Sequence, residues 1–280
     1  MKLIISRKGF DSSFGGVASP IMPDGRLVPF PIPASNDPSS YADVMVNGVA
    51  VGEMVEVLTS GKITRSHRCH LDPDIDAKSL KRVDGWRPAF GQDGAAQGHL
   101  ENQGVESGDL FLFFGWFRQV ERVGKGWRYM PGAPDLQVLY GWLQIGQIVR
   151  LGQGQRPKQA EAFSMHPHIA RPPSQGNTLY LAGDRLELGD TAASGAGLFG
   201  HVTNSRILTD RSQRNRSQWL LPVWMHPSNG STLSYHLNPD RWRLEGNACV
   251  AQSVAKGQEF VLRPGNIGNL RGWINELFEE

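Results

Sequence analysis

Apolar residues in this chain gather into a few short continuous runs rather than spreading along helical faces. Leu3, Ile4 and Ile5 make the first, β-branched and long enough for one buried strand. The strongest run, Leu110 to Phe117 (LFLFFGWF), is launched by a Gly108-Asp109 turn, and Val138 to Val149 (VLYGWLQIGQIV) is the second long one. Both carry aromatic-Gly-Trp-apolar, as Phe114-Gly115-Trp116-Phe117 and Tyr140-Gly141-Trp142-Leu143. That local likeness predicts two paired strands joined by the loop from Glu121 to Asp135, with glycines permitting a bend or a barrel corner. Thr178 to Ala182 reads as a further strand.

Helical spacing is rarer. Ala95, Ala96, His99, Leu100 and Gln103 predict a short helix entered at Gly94 and closed by Gly104, and Ile267, Leu270, Ile274, Leu277 and Phe278 share one face of a C-terminal helix capped by Asn266. Tyr41 to Val44 can open a short helix, and Val55 to Leu58 fits either helix or strand. Five prolines between Pro20 and Pro33 exclude helix there and leave Leu27 to Ile32 as, at best, an edge strand.

The elements add up to an α+β, mixed, sheet-rich single domain over residues 1–280, with a C-terminal helix and a sub-division near 152–156 at the Gly- and Gln-rich stretch. Composition agrees: 39% hydrophobic and 20% charged residues describe an ordinary globular chain, and 33 glycines with 18 prolines favour sheet and loop over helical bundle. Glycine-aspartate, an aromatic strand and a second strand near a glycine look like the small barrels of the PUA, ASCH and EVE class over Gly108 to Leu151, a class in which RNA or modified-base binding is common. A net charge of +2 means that any nucleic-acid partner is held by a local patch. Cys69 and Cys249 form no CxxC pair, no signal-peptide pattern precedes the first strand and no apolar run approaches ~18 residues, so a cytoplasmic protein without a membrane segment is expected.

Polar chemistry concentrates behind the strands. Ser6, Arg7, Lys8, Asp11, Ser12 and Ser13 follow the first strand among Gly9, Gly15 and Gly16, the arrangement by which a rigid strand holds a site, although a plain surface turn with an Arg–Asp pair has the same composition. Residues 66–76, SHRCHLDPDID, bring His67, Cys69, His70, Asp72, Asp74 and Asp76 together. Three readings stay open for them: a divalent metal, ligand hydrogen bonding without metal, and turn or helix capping around Pro73. Gln92, Gln97, His99, Glu101, Asn102 and Gln103 collect amide and imidazole groups suited to a base edge or a sugar, or to a solvated helix face. His166 and His168 flank Pro167, and in extended geometry would point to the same side, towards a metal or a phosphate. Arg206, Arg211, Arg214 and Arg216 ahead of Trp219 and Trp224 could track a phosphate backbone or simply be solvated.

Taken together, SRKGFDSSFGG (Ser6 to Gly16), SPIMPDGR (Ser19 to Arg26), CHLDPDI (Cys69 to Ile75), FGQDGAAQGHLENQG (Phe90 to Gly104), GDLFLFFGWFR (Gly108 to Arg118) and HPHI (His166 to Ile169) resemble the bacterial and phage family called nucleotide modification associated domain, type three. The likeness covers about the first 180 residues. It implies a link to DNA base or nucleotide modification through gene neighbourhood, without a reaction. Convergence of these segments would make Arg7 and Lys8 anion binders, Asp11 or Asp72 a general base, and His70 or His99 its acid–base partner. Ser6, Ser12, Asp74, Gln97, Gln103, Trp116, His166 and His168 would then be substrate contacts, on a nucleotide or nucleic-acid partner. The other reading is a non-catalytic reader of modified nucleic acid, with Trp116 or Trp142 in an aromatic pocket. No Walker A, GxGxxG or zinc-deaminase pattern is present.

Overall fold

The first apolar run becomes the middle of the molecule. In the computed structural model, which describes residues 1–172, 174–188, 191–213, 215–254 and 257–279, the strand Leu3–Arg7 lies between Glu259–Arg263 (antiparallel) and Leu110–Val123 (parallel). Leu110–Val123 pairs antiparallel with Leu136–Arg150, which passes to Thr178–Ala182 and then to Ala89–Gln92 at one edge; Thr232–Leu233 closes the other. This is the sheet-rich α+β fold expected from the runs. The hydrogen-bonded path is open among the described residues, with its two edge strands unpaired to each other, so the PUA-like closure considered for Gly108 to Leu151 is not part of it.

The two strands that carry the aromatic-Gly-Trp motifs do pair, with the motifs offset along the ladder rather than opposite each other. Leu139 stands opposite Phe114 and Gly141 opposite Phe113, so Tyr140 is the extra residue of a β-bulge. A Cβ on Gly115 would come within 2.9 Å of the Lys8 carbonyl oxygen, and one on Gly141 within 2.6 Å of Ile75 and 3.0 Å of the Gly197 carbonyl oxygen. Both glycines are therefore close-approach positions that let other chain segments press onto the long strands.

Alternation divides the side chains between two cores. On one face Leu3, Ile5, Leu110, Leu112, Phe114 and Trp142 pack with the C-terminal helix Ile267–Phe278 and a small sheet carrying Trp219 and Cys249. Asn266 caps that helix as expected, its side chain accepting from the Gly268 N–H, while Leu270, Ile274 and Leu277 are buried. Ile267 departs from the predicted face and is exposed. On the other face Ile4, Phe111, Phe113, Phe117 and Tyr140 meet Phe90 and Tyr180 from the edge strands, and Leu100 from the helix Gly94–Asn102. No helix among the described residues is long and apolar enough to cross a membrane.

Candidate functional site

Polar loops at the ends of these strands surround one cavity of about 460 Å³. The N-terminal loop brings Arg7, Lys8, Gly9, Asp11 and Phe14; the strand Arg68–His70 and the residues after it bring His70 and Asp72; the edge strand Ala89–Gln92 ends in Gly91, Gln92 and Asp93; and the segment after Pro167 brings His168 and Arg171. Four segments separated in sequence thus meet where the core strands end.

Asp72 is the centre. Its side chain is only 4% exposed, and three imidazoles surround it: His70 Nε2 at 3.7 Å and His168 Nε2 at 3.6 Å from Oδ2, and His166 Nε2 at 3.4 Å from Oδ1. Oδ1 also accepts from the Gly91 N–H at 2.9 Å. The Asp72–Pro73 peptide bond is cis. Burial alone would raise the carboxyl pKa, but the contacts of His166 and His70 hold it well below the usual carboxylate range. Burial also opposes the His70 imidazolium, yet the carboxylates of Asp37 and Asp72 outweigh it and push its pKa up to about 9. His168 goes the other way: burial, the His166 ring and Arg171 bring it down to about 3 despite Asp72, so it is neutral at ordinary pH.

Each outer nitrogen has a defined partner. His70 Nδ1 is 2.5 Å from Asp37 Oδ2, an atom that can only accept, so Nδ1 carries the proton. His168 Nδ1 faces two atoms at 2.7 Å, Asn177 Oδ1 and Arg171 Nη2, which ask for opposite tautomers. Asn177 decides it: its Nδ2 donates to the His168 carbonyl oxygen at 2.8 Å, which fixes Oδ1 towards the ring as an acceptor from Nδ1–H. Arg171 has Asp93 Oδ2 at 3.2 Å as its ion pair. The His168 ring packs against Gly91, where a Cβ would come within 2.2 Å of it.

Local sequence accounts for these placements. His166-Pro167-His168 is not extended: Pro167 opens the single turn Pro167–Ala170, and His166 caps it by accepting from the His168 N–H. Proline's fixed φ suits the first helical position, and the two rings still meet at Asp72. Asp11 closes a tight turn, its Oδ1 accepting from the Ser13 and Phe14 N–H groups, and this turn presents Phe14, 48% exposed, at the cavity.

Of the residues singled out in the sequence, Arg7, Lys8, Asp11, His70, Asp72 and His168 line the cavity and His166 stands directly behind Asp72. Others lie elsewhere for identifiable reasons. His99 stacks on Tyr235 and contacts Ser234 Oγ at 3.1 Å, on the side of its helix turned to the C-terminal strands. Asp74 is locked to Arg82 at 2.5 Å, and Gln97 to Tyr180 and Glu101. Ser6 is fully buried opposite Glu259 in the sheet, Ser12 is exposed in the turn, and the Gln103 carbonyl accepts from Arg263. Trp116 carries the Arg216 guanidinium at 4.0 Å from its ring centroid, and Trp142 is in the core with its Nε1–H donated to the Ser194 carbonyl oxygen. Arg206 is buried against the Leu277 carbonyl at the C-terminus of the last helix, Arg211 donates to Asn204, and Arg214 lies outside the described residues.

Asp37, Asn177, Arg171, Gly91 and Phe14 were not singled out in the sequence. Only for Phe14 was there a signal, an aromatic between serine and two glycines in a segment otherwise polar.

The profile of the family described as nucleotide modification associated domain 3 matches residues 2–263, and the chain belongs to that family. No curated protein sequence and no solved structure matches the chain.

Proposed function

We propose that the protein is an enzyme of nucleotide or DNA-base modification whose reaction site is the cavity around Asp72. The observation that carries this reading is the meeting of Arg7, Asp11, His70, Asp72, His168 and Arg171 on the walls of one cavity of about 460 Å³, a volume suited to a nucleotide. Such a set supplies what phosphorylated substrates need: guanidinium forks of Arg7 and Arg171 for phosphate oxygens, and an imidazole–carboxylate cluster for proton transfer. Phe14 at the same opening offers a face for a base. Membership of a nucleotide-modification family agrees with the same substrate class.

The geometry supports the following roles. With no ion between them, Asp72 and His168 face the substrate as acceptors, and His70, protonated on Nδ1 towards Asp37, can hold or release a proton at Nε2. Asp11 shapes the Phe14 turn. Lys8 lies against Glu259 and holds the wall. A reader using Trp116 or Trp142 as an aromatic cage has less support, because Trp142 is buried and Trp116 is covered by Arg216.

Calorimetric titration with nucleoside mono- and triphosphates and a short single-stranded DNA tests the reading. Binding is expected for at least one of them, weakened by about 1–3 kcal/mol in Phe14→Ala, as for loss of one stacked base. Absence of binding at millimolar concentration, or identical affinities in Phe14→Ala and Arg171→Ala, overturns it.

A further inference from the structure

We infer that His70 Nε2, Asp72 Oδ2 and His168 Nε2 are the three protein ligands of a site for one divalent first-row transition-metal ion, open to the cavity. This deepens the reading of the cavity as a reaction site and rests on it for what the ion would do there.

The first argument is spacing. The three ligand atoms all lie within 4.8 Å of one another, with Oδ2 3.7 Å from His70 Nε2 and 3.6 Å from His168 Nε2. Tetrahedral bonds of about 2.0–2.2 Å from a common ion put ligand atoms about 3.3–3.6 Å apart, so the two Oδ2 separations nearly match and a side-chain movement of up to about 1.5 Å between the two imidazoles closes the site. The second is orientation. An imidazole can bind a metal through Nε2 only if its other nitrogen carries the hydrogen, and here Asp37 and Asn177 each accept from an Nδ1. The Gly91 N–H holds Oδ1, which leaves Oδ2 for the ion. Two carboxylate or amide partners behind two imidazoles, and a backbone donor behind the carboxylate, form the outer shell that metal-binding histidines and aspartates require.

Donor chemistry narrows the ion. Two imidazoles with one carboxylate suit iron(II), manganese(II), cobalt(II) or zinc(II), whereas magnesium and calcium prefer all-oxygen sets. No thiolate takes part: Cys69, between His67 and His70 in sequence, is buried in a different core. Three protein ligands leave coordination positions free, and the cavity with Arg171 lies beside them. A bound ion would supply a Lewis acid for a phosphate or carbonyl oxygen of a substrate.

Chelator-stripped full-length protein titrated with cobalt(II), zinc(II), manganese(II) and, without air, iron(II) reads the site directly. The expected result is one equivalent bound for at least one ion, visible d–d absorption with cobalt(II), and a loss of affinity in His168→Ala and Asp72→Ala exceeding the ~10–100-fold typical of an outer-shell change. His67→Ala, in the same segment but outside the cluster, is expected to bind as the wild type does. Circular dichroism and melting of each variant separate a lost ligand from a lost fold, and the wild-type stoichiometry stands without any variant. Failure of the wild type to bind any of the four ions at micromolar concentration, or cobalt(II) affinity unchanged in a folded His168→Ala, overturns the inference. Nucleotide binding without metal would overturn this inference alone, and metal binding without nucleotide binding would overturn the substrate reading alone.

Discussion

Two of the buried carboxylates among the described residues, Glu259 and Asp72, have surroundings that differ in a way that sets scaffold beside proposed site. Glu259, 1% exposed, has a cation of its own: Lys8 Nζ at 2.7 Å, with Gln92 Nε2 also at 2.7 Å from the same oxygen. Asp72 has imidazoles instead, two of which, His70 and His168, are fixed from behind by an acceptor, and it opens on a cavity. Burying a carboxylate is costly unless its charge is balanced. A lysine balances it permanently. Neutral nitrogen lone pairs balance it only when something positive, a proton on His70 or an ion, sits between them. Both clusters contain a polar strand end, and the proposed function places the reaction at the second.

The sharpest break of this contrast is Lys8→Met. Removing the lysine leaves Glu259 buried without its cation, and a loss of about 3–5 kcal/mol in folding free energy is expected from urea unfolding. Lys8→Met with Glu259→Gln should recover much of that loss, since the stranded charge is gone. A single variant as stable as the wild type would show that Lys8 is not structural and return it to the substrate.

How far this contrast could be seen in the sequence depends on the range of the interactions involved. The strands were legible because continuous apolar runs such as Leu3 to Ile5 and Leu110 to Phe117 have few other ways to be buried. Residues directly behind those strands, Arg7 and Lys8, and the dense His70–Asp72 and His166–His168 clusters were legible for the same reason: local crowding of ionisable groups is itself a signal. Their partners were not. Asp37 and Asn177 are single polar residues in loops, 33 and 9 positions from the rings they orient, and nothing local distinguishes them. His99 is the converse case, since its helix was read correctly but its side chain turns to Ser234 and Tyr235, contacts more than 130 positions away. Arg206 likewise reads as part of a basic stretch and is in fact an internal ligand of the Leu277 carbonyl.

Asp37→Asn sharpens the Asp72 side of the comparison with an intermediate effect. The amide can accept from His70 Nδ1 through its oxygen but lacks the carboxylate charge that aligns the imidazole and makes it basic. A 10–100-fold weaker affinity for zinc(II) or cobalt(II) is expected, with an unchanged stoichiometry of one. An unchanged affinity would mean that Asp37 does not orient the ring, and that the short His70–Asp37 contact serves only the apo protein.

The smallest effect is expected at His99, where the two clusters come closest to being confused. Its ring lies 4.4 Å from that of Tyr235 in a stacked arrangement, and burial lowers its pKa below the ordinary value even though Glu259 pulls the other way. His99→Phe keeps the stack and loses only the Ser234 contact, a change of about 0.5–1.5 kcal/mol. The pH dependence makes the point more firmly than the magnitude. Below about 6.5 the unfolded chain takes up a proton that the folded imidazole resists, so the wild type loses stability as pH falls through that value. His99→Phe has no such group, and the stability difference between the two proteins should therefore shift in the variant's favour from pH 8 to pH 5. If instead His99→Phe abolished turnover while metal and nucleotide still bound, the acid–base partner would belong to the Glu259 side, and the division between a structural and a reactive carboxylate would fail.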